Sequence, residues 1–226
     1  TVMFPGTLPI RAGRVKQRPF REPIGRLQPP AIVLLLRFMD VQTSVSEVTF
    51  TAFDFETTGL EPAVHRIVEF GAAQFRNREI RDTFEALVNP GVTIDGDAGR
   101  ISGISNEMVQ DKPAVETMFA PFLDFLGESV LVAHNAAFDV GFLRAGLDLA
   151  GLPPIRNLII DTQVLAQKAF PRLKSYSLQN LVAELNLPQG NAHRALDDAV
   201  MCMRLFHACV DEMSFMGELS LEEVLT

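Results

Sequence analysis

Apolar positions in the body of the chain first alternate with polar ones and later recur at helical spacing. The alternation, in runs rich in Phe, Val, Ile and Ala, predicts strands near residues 49–55, 65–76 and 79–89. Asn77 and Arg78, between the second and third strands, suit a two-residue hairpin turn. We therefore expect three neighbouring antiparallel strands.

Helical spacing dominates after a glycine-containing loop that follows the third strand. Pro121 is expected to kink the first helix, and Asn135, Asp161 and Ser177 are suited to cap three later ones. The predicted helices cover residues 113–126, 135–150, 162–169, 177–186 and 192–213, and buried strands at 130–133 and 158–160 separate the first three. This order predicts an α/β fold with a mixed five-stranded sheet, three antiparallel strands and then parallel ones, flanked by helices on both faces.

The first 46 residues differ in composition from the rest. Prolines are interspersed with basic residues, which precludes a long helix or a central strand. We interpret residues 1–46 as an irregular arm or linker, with a phosphate-binding basic arm as the alternative and a strand or short helix over 31–39. Residues 47–215 are then the main domain and residues 216–226 a C-terminal tail.

Charge is divided unevenly along the chain. Residues 1–46 carry a balance of +5 and the remainder a balance of -13, for a net charge of -8. An acidic body argues against a protein that coats nucleic acid, since such proteins present a basic surface. It does not exclude an enzyme that reaches phosphates through bound metal ions.

Composition favours an ordinary globular protein of an intracellular compartment. Of its 226 residues, 47% are hydrophobic and 21% charged. Cys202 and Cys209 fall seven apart in one predicted helix, where a disulfide is not expected, so a reducing, cytoplasmic location is favoured. No apolar run approaches the roughly 20 residues of a membrane helix. The chain begins with Thr1, which leaves open that it is a piece of a longer protein.

Two carboxylates interrupt the first predicted strand. In an extended chain Asp54 and Glu56 project to one face, while Phe53 and Phe55 project to the other. Carboxylates held side by side repel each other, so a fold that keeps them adjacent needs a divalent cation or another positive group. The strand end is therefore a predicted cation site.

A second acidic position follows the short strand at 130–133. Asp139 lies in the first turn of the next predicted helix, where an acidic side chain is also favoured by the helix dipole alone. Phe138 and Phe142 follow the spacing of a core face and leave Asp139 at an adjoining edge. His134 and Asn135 are interpreted as positioning groups rather than catalysts.

The third acidic position opens the last predicted helix. At helical spacing, Asp198 shares a face of the helix with Cys202 and Leu205, which are apolar. Asp197 shares a more polar face. Asp198 is therefore expected to point inward. His193 can reach the same pocket if it lies in the loop just before the helix.

Together these stretches predict one cluster of four carboxylates and a histidine. Oxygen ligands without cysteine suit Mg²⁺ or Mn²⁺. Two such ions can activate a water and stabilise the leaving oxygen of a phosphoryl displacement, and His193 is suited to accept the proton of that water. The predicted reaction is phosphodiester hydrolysis.

The segments FDFETTGL, HNAAFD and HRALDDA, in this order, resemble the three motifs of the DEDDh class of exonucleases, in particular the proofreading (epsilon) subunits of bacterial DNA polymerase III. The resemblance covers about residues 48–213. It implies an RNase H-like fold, two Mg²⁺ or Mn²⁺ ions and removal of nucleotides from 3′ ends as 5′-monophosphates. By the same resemblance Asp54, Glu56, Asp139 and Asp198 hold the metals, and His193 is the general base.

The resemblance also implies substrate contacts around the motifs. The positions expected to seat the terminal nucleotide are Thr57, Thr58, Gly59, Leu60, His134, Asn135 and Phe138. Arg172 and Lys174 could approach the phosphate backbone, or form a solvated basic turn. Ser102 stands where many family members have a histidine, so that substrate contact is not carried over to this chain.

Three functions compete at this stage. The favoured one is a 3′-to-5′ exonuclease acting on DNA, preferably single-stranded 3′ ends, in proofreading or repair, with a DNA polymerase subunit or a fused domain as partner. An RNA exonuclease resembling ribonuclease T or oligoribonuclease uses the same chemistry. A non-catalytic interaction module is the third, although all five predicted catalytic positions are filled.

Overall fold

A computed structural model describes residues 40–225, apart from the side chain of Met216. Its centre is a five-stranded sheet in the order β3-β2-β1-β4-β5. The strands are β1 (Phe50–Thr57), β2 (Ile67–Arg76), β3 (Glu79–Leu87), β4 (Val130–Ala133) and β5 (Ile159–Asp161). The predicted segment 31–39 lies outside the described residues.

The first three strands are antiparallel, as the alternating pattern predicts. Asn77 and Arg78 form the turn between β2 and β3, both with positive φ, at 47° and 68°. Left-handed conformations at both central positions match the twist of a two-residue hairpin. The other two strands run parallel to β1, which confirms the predicted mixed sheet.

Eight α-helices lie in the described part of the chain. They are α1 (Gly96–Ser102), α2 (Asn106–Val109), α3 (Phe119–Leu126), α4 (Ala137–Leu149), α5 (Thr162–Ala169), α6 (Leu178–Glu184), α7 (Ala195–Met213) and α8 (Leu221–Val224). The helices α3 to α7 correspond to the five predicted ones. None of the described helices combines the length and apolar character needed to cross a bilayer.

Several predicted helix details are wrong. The region after β3 contains α1 and α2 rather than only a loop. The helix starts at Phe119 rather than at residue 113, so Pro121 lies in its first turn, where a missing N–H breaks no helical hydrogen bond. Asn135 is not an N-cap, since its φ is 56° and the helix starts two residues later.

One face of the sheet packs against α3 and α4 through a phenylalanine-rich core. Phe53 and Phe55 of β1 point into it and contact Phe122 of α3, at ring-centroid distances of 6.3 and 5.5 Å. The opposite face lies under α7, where Phe206 packs on Phe50. Asp54 and Glu56 therefore project beneath α7, on the face opposite the phenylalanine core, as the strand alternation predicts.

The two ends of the described chain lie side by side. Backbone hydrogen bonds join Val45 to Leu219 and Leu221 to Thr43, and Ser44 forms a β-bridge with Ser220. Residues 40–46, which the composition groups with the arm, thus pack against the segment predicted as a tail. The division of the chain into arm, domain and tail stays a prediction.

Candidate active site

The site begins at the carboxyl end of β1, where the sheet is irregular. Glu56 pairs with Glu69 on β2, but Thr57 pairs with Ile67, so β2 contributes one extra residue there. Such a bulge bends a strand and redirects its side chains. Just before this irregularity, Glu56, which is 9% exposed, lies close to His193 and Asp198 at the start of α7.

Asp139 is fixed at the edge where β4 separates from β1. The β1–β4 pairing ends at Ala52 and Val132, which leaves the N–H of Phe55 free on that edge. The Oδ1 atom of Asp139 accepts this N–H at 3.1 Å. Asp139 is 2% exposed and lies in the first turn of α4, so it reaches β1 from the end of the neighbouring strand.

Asp161, at the end of β5, organises the same region. Its carboxylate accepts the N–H groups of Asn135 and Ala136, each at 3.0 Å, and of Gln163 at 2.8 Å. It therefore caps α5, as predicted, and also holds the turn that enters α4. The second function was not visible in the sequence, because it needs β4 and β5 to be neighbours.

His193 and Asp198 enter the site from the start of α7. His193 has a φ of 64° and its backbone N–H donates to Oδ2 of Asp198 at 3.0 Å. Asp198 is 4% exposed, whereas the carboxylate of Asp197 accepts the N–H of Asn191 in the preceding loop. Asp198 is thus the inward carboxylate, in the orientation that the helical spacing predicts.

The five predicted catalytic residues meet in this structure. Glu56, His193 and Asp198 each offer a ligand atom, and these atoms lie within 4.8 Å of one another. Asp54 lies among Asp139, Asp198 and Glu56, whose charges act on it. Three separate stretches of sequence therefore form one acidic cluster.

Without a cation, the charged forms of the four carboxylates are disfavoured. Burial, and then the charge of Asp139, raises the pKa of Asp54 well above its usual range. Burial, and then Asp198, raises the pKa of Glu56 to about 8, and burial raises that of Asp198 to about 6. Burial also raises the pKa of Asp139, against the hydrogen bond from Phe55. All four carboxylates would regain their ordinary ionisation beside a positive charge.

One atom of the cluster has an unmet hydrogen-bonding capacity. The Oδ1 atom of Asp198 is buried and has no partner among the described residues. A buried carboxylate oxygen without a donor is costly, and a divalent cation would satisfy it. The oxygen-rich donor set therefore fits a hard cation.

Sequence reasoning missed an ion pair beside the cluster, between the buried Glu69 and the half-exposed Arg194. Glu69 on β2 is 1% exposed and accepts from the guanidinium of Arg194 and from the backbone N–H of Ala195. The signal in the sequence that could have revealed this ion pair is the acidic Glu69 within the otherwise apolar run of β2. Gly71, two residues on, allows α7 to approach, because a Cβ there would lie 2.0 Å from the carbonyl carbon of Ala195.

The predicted substrate contacts after β1 divide into two groups. The Thr57 hydroxyl donates to the Gly59 carbonyl, and the buried Thr58 hydroxyl accepts the N–H of Arg66. These hydroxyls shape the turn rather than face solvent. Leu60, by contrast, is 77% exposed.

The remaining predicted contacts precede Asp139. His134 has both ring nitrogens engaged, with the Thr162 hydroxyl at 3.0 Å and the Tyr176 carbonyl at 2.9 Å, which favours its interpretation as a positioning group. Asn135 is exposed, and the half-buried Phe138 packs on Phe142. Substrate contact by these residues stays a prediction.

The mixed sheet and the acidic cluster at its edge define an RNase H-like fold of the nuclease type. Residues 51–206 match the family model described as "Exonuclease". The chain therefore belongs to the exonuclease family.

Within that family the chain is similar to bacterial DNA polymerase III exonucleases. It is 44% identical over 161 residues to the DNA polymerase III subunit epsilon of Treponema pallidum, covering 70% of this chain and 75% of that protein. It is 38% identical over 191 residues to a PolC-type DNA polymerase III of Thermotoga petrophila, covering 84% of this chain but 14% of that protein. The chain thus carries an exonuclease domain that spans a small part of PolC-type relatives.

Solved structures agree with this assignment. Exonuclease X in complex with 5′ overhanging duplex DNA is 26% identical, with a TM-score of 0.62 over 79% of this chain and 97% of that one. E. coli Exonuclease I in complex with a dT13 oligonucleotide shares the fold at 20% identity, with a TM-score of 0.63 over 72% of this chain and 40% of that one.

Proposed function

We propose that this chain is a metal-dependent exonuclease that removes nucleotides from the 3′ end of DNA, preferably single-stranded, and releases nucleoside 5′-monophosphates. The observation that carries the proposal is the convergence of four carboxylates and a histidine from three stretches of sequence on one partly buried cluster. The unmet Oδ1 atom of Asp198 supports a cation as the missing partner.

The carboxylates of Asp54, Glu56, Asp139 and Asp198 would hold two Mg²⁺ or Mn²⁺ ions. When bound, such ions supply a more acidic water and stabilise charge on the leaving oxygen. Oxygen donors favour these two metals over zinc.

The protein's own groups would orient the reaction. A ring nitrogen of His193 would accept the proton of the attacking water, a task for which an imidazole is chemically suited. The exposed Leu60 at the end of the β1 turn offers an apolar surface for the terminal nucleotide. Thr58 ties the preceding residues of the turn to Arg66, next to β2, through its hydroxyl and its own N–H.

DNA is favoured over RNA by the relatives. Those described above are DNA polymerase III proteins, and Exonuclease X was solved with DNA. The small share of the PolC-type relative that the chain covers supports a domain that works with, or is fused to, a polymerase. Proofreading of a newly synthesised strand is the biological task that these observations support best.

The test compares four short oligonucleotides, DNA and RNA, each with a free or a paired 3′ end and each labelled at the 5′ end. With Mg²⁺, we expect a ladder that shortens from the 3′ end, fastest on single-stranded DNA, and no cleavage with EDTA. A 3′-labelled copy should release its label as a mononucleotide at once.

Two results would contradict the proposal. Faster degradation of RNA at both kinds of end would assign the chain to RNA metabolism. Absence of metal-dependent cleavage by a folded wild-type protein would leave a non-catalytic module.

A further inference from the structure

The Glu69 carboxylate is buried beside the acidic cluster but is not part of the predicted catalytic set. Arg194 approaches its Oε1 atom through Nη2 at 2.7 Å and through Nε at 3.2 Å. The N–H of Ala195 donates to its Oε2 atom at 3.0 Å. A single carboxylate thus binds both a side chain and the backbone at the start of α7.

This carboxylate adds to the negative charge of the site. Glu69 lies directly opposite Glu56 in the β1–β2 register, and its charge raises the pKa of Asp54, Glu56 and Asp198. An apolar residue would fill the same place without this repulsion. The Arg194 side chain is half-exposed, so solvent screens the ion pair and we expect little net stability from it.

The turn that Glu69 holds is the one that carries catalytic groups. Arg194 is the N-cap of α7 and follows His193 directly, and Asp198 lies one turn further on. Arg194 makes no side-chain cap of its own helix. The Glu69 carboxylate takes over that task by accepting the first helical N–H, a favoured position for a negative charge.

Two further contacts make the arrangement rigid. Gly71 lets the backbone of α7 rest directly on β2, where a Cβ would collide with Ala195. The left-handed backbone of His193 is held by its hydrogen bond to Asp198. The position of both residues relative to Glu56 therefore depends on the link between β2 and α7.

We propose that Glu69 and Arg194 are positioning residues: their ion pair fixes the first turn of α7 on β2, so that His193 and Asp198 stay aligned with Glu56. The inference rests on the proposed function of these three residues in nucleic-acid cleavage. Arg194 touches neither metal nor substrate in this scheme, and it acts through the backbone that it anchors.

The test uses Glu69→Gln, Arg194→Ala and their combination. A matched control is Asp211→Asn, which breaks an exposed ion pair with Arg78 that also joins α7 to the β2–β3 hairpin. For each protein we would measure kcat and KM on single-stranded DNA, Mn²⁺ affinity by electron paramagnetic resonance of free Mn²⁺, and the unfolding temperature.

We expect both single variants to lower kcat or Mn²⁺ affinity by about 10–100-fold with little change in KM, the usual effect of losing a partner that orients metal ligands. The double variant should be no worse than the more severe single variant, because the two residues act as one unit. The kcat and the Mn²⁺ affinity of Arg194→Lys should lie between those of wild type and of Arg194→Ala, because lysine keeps the charge but cannot form the forked contact of a guanidinium. Asp211→Asn should leave kcat and Mn²⁺ affinity unchanged.

The proposal is overturned if the folded variants keep kcat and Mn²⁺ affinity within about twofold of wild type while only the unfolding temperature falls, since that is the behaviour of a purely structural pair. If Glu69→Gln does not fold, Arg194→Ala decides, because the Arg194 side chain is 44% exposed. If the wild type binds Mn²⁺ without cleaving DNA, the proposed function fails, while the Mn²⁺ affinities still test the positioning.

Discussion

Neutralising Asp198 should stabilise the metal-free protein while abolishing its activity. Burial raises the pKa of this carboxyl to about 6. Relative to an ordinary aspartate pKa of about 3.9, the difference corresponds to roughly 3 kcal/mol at about 1.36 kcal/mol per pKa unit. The folded state binds a proton more tightly than the unfolded state, so this destabilisation grows as the pH rises from about 4 to about 6 and is then constant.

Asp198→Asn removes the charge but keeps an oxygen that can accept from the His193 N–H. In EDTA at about pH 8, we expect the variant to be more stable by about 1–3 kcal/mol, and the gain should vanish at about pH 4. A domain of this size gains about 2–4 °C in unfolding temperature per kcal/mol.

In saturating Mn²⁺, the wild type should instead be more stable than Asp198→Asn. A cation at about 1,000 times its Kd stabilises the wild type by about 4.1 kcal/mol, which exceeds the gain of the variant in EDTA, and the variant loses most of this stabilisation. Asp197→Asn is the matched control: this neighbouring carboxylate accepts the N–H of Asn191 in the loop, and its removal should change stability by a similar amount with and without metal. A variant that is less stable than wild type in EDTA at about pH 8, or a gain that does not change with pH, would refute the explanation that the buried charge of Asp198 destabilises the metal-free fold.

Three further predictions concern single residues. His193→Ala should lower kcat by about 10²–10⁴-fold while Mn²⁺ binding, measured by paramagnetic resonance, is largely retained; complete loss of Mn²⁺ binding would make His193 a ligand instead. Leu60→Ala should raise KM for single-stranded DNA in steady-state assays and leave the unfolding temperature unchanged, because the side chain is exposed. Gly71→Ala should destabilise the fold by about 1–3 kcal/mol in thermal unfolding, whereas Gly96→Ala, which has open space, should not; equal effects would contradict the close approach of α7.

Local patterns determined most of the fold and the identity of the cluster. The alternation in β1 separates Asp54 and Glu56 from the two phenylalanines, and this depends only on neighbouring residues. The inward orientation of Asp198 likewise follows from the spacing of apolar residues along one helix. The order of the three motifs then suggested which stretches meet.

Features that depend on contacts distant in sequence were not predictable. The function of Asp161 at the start of α4 requires β5 to lie beside β4. The contact between Arg194 and Glu69 joins residues that are 125 positions apart in the sequence. The short helices α1 and α2 were missed because seven and four residues carry too little periodicity to distinguish them from a loop. The positive φ of Asn135 reflects capping by Asp161 rather than a local preference for a helix start.

The central claim is that the acidic cluster promotes attack of water on a phosphodiester at a 3′ end. It is tested most directly by digesting single-stranded DNA with Mg²⁺ in water enriched in oxygen-18 and weighing the released mononucleotides by mass spectrometry. We expect one heavy oxygen in the 5′-phosphate of each mononucleotide, released in order from the 3′ end, and none from Asp198→Asn. Products with a 3′-phosphate, release from the 5′ end, or equal activity of Asp198→Asn would contradict it.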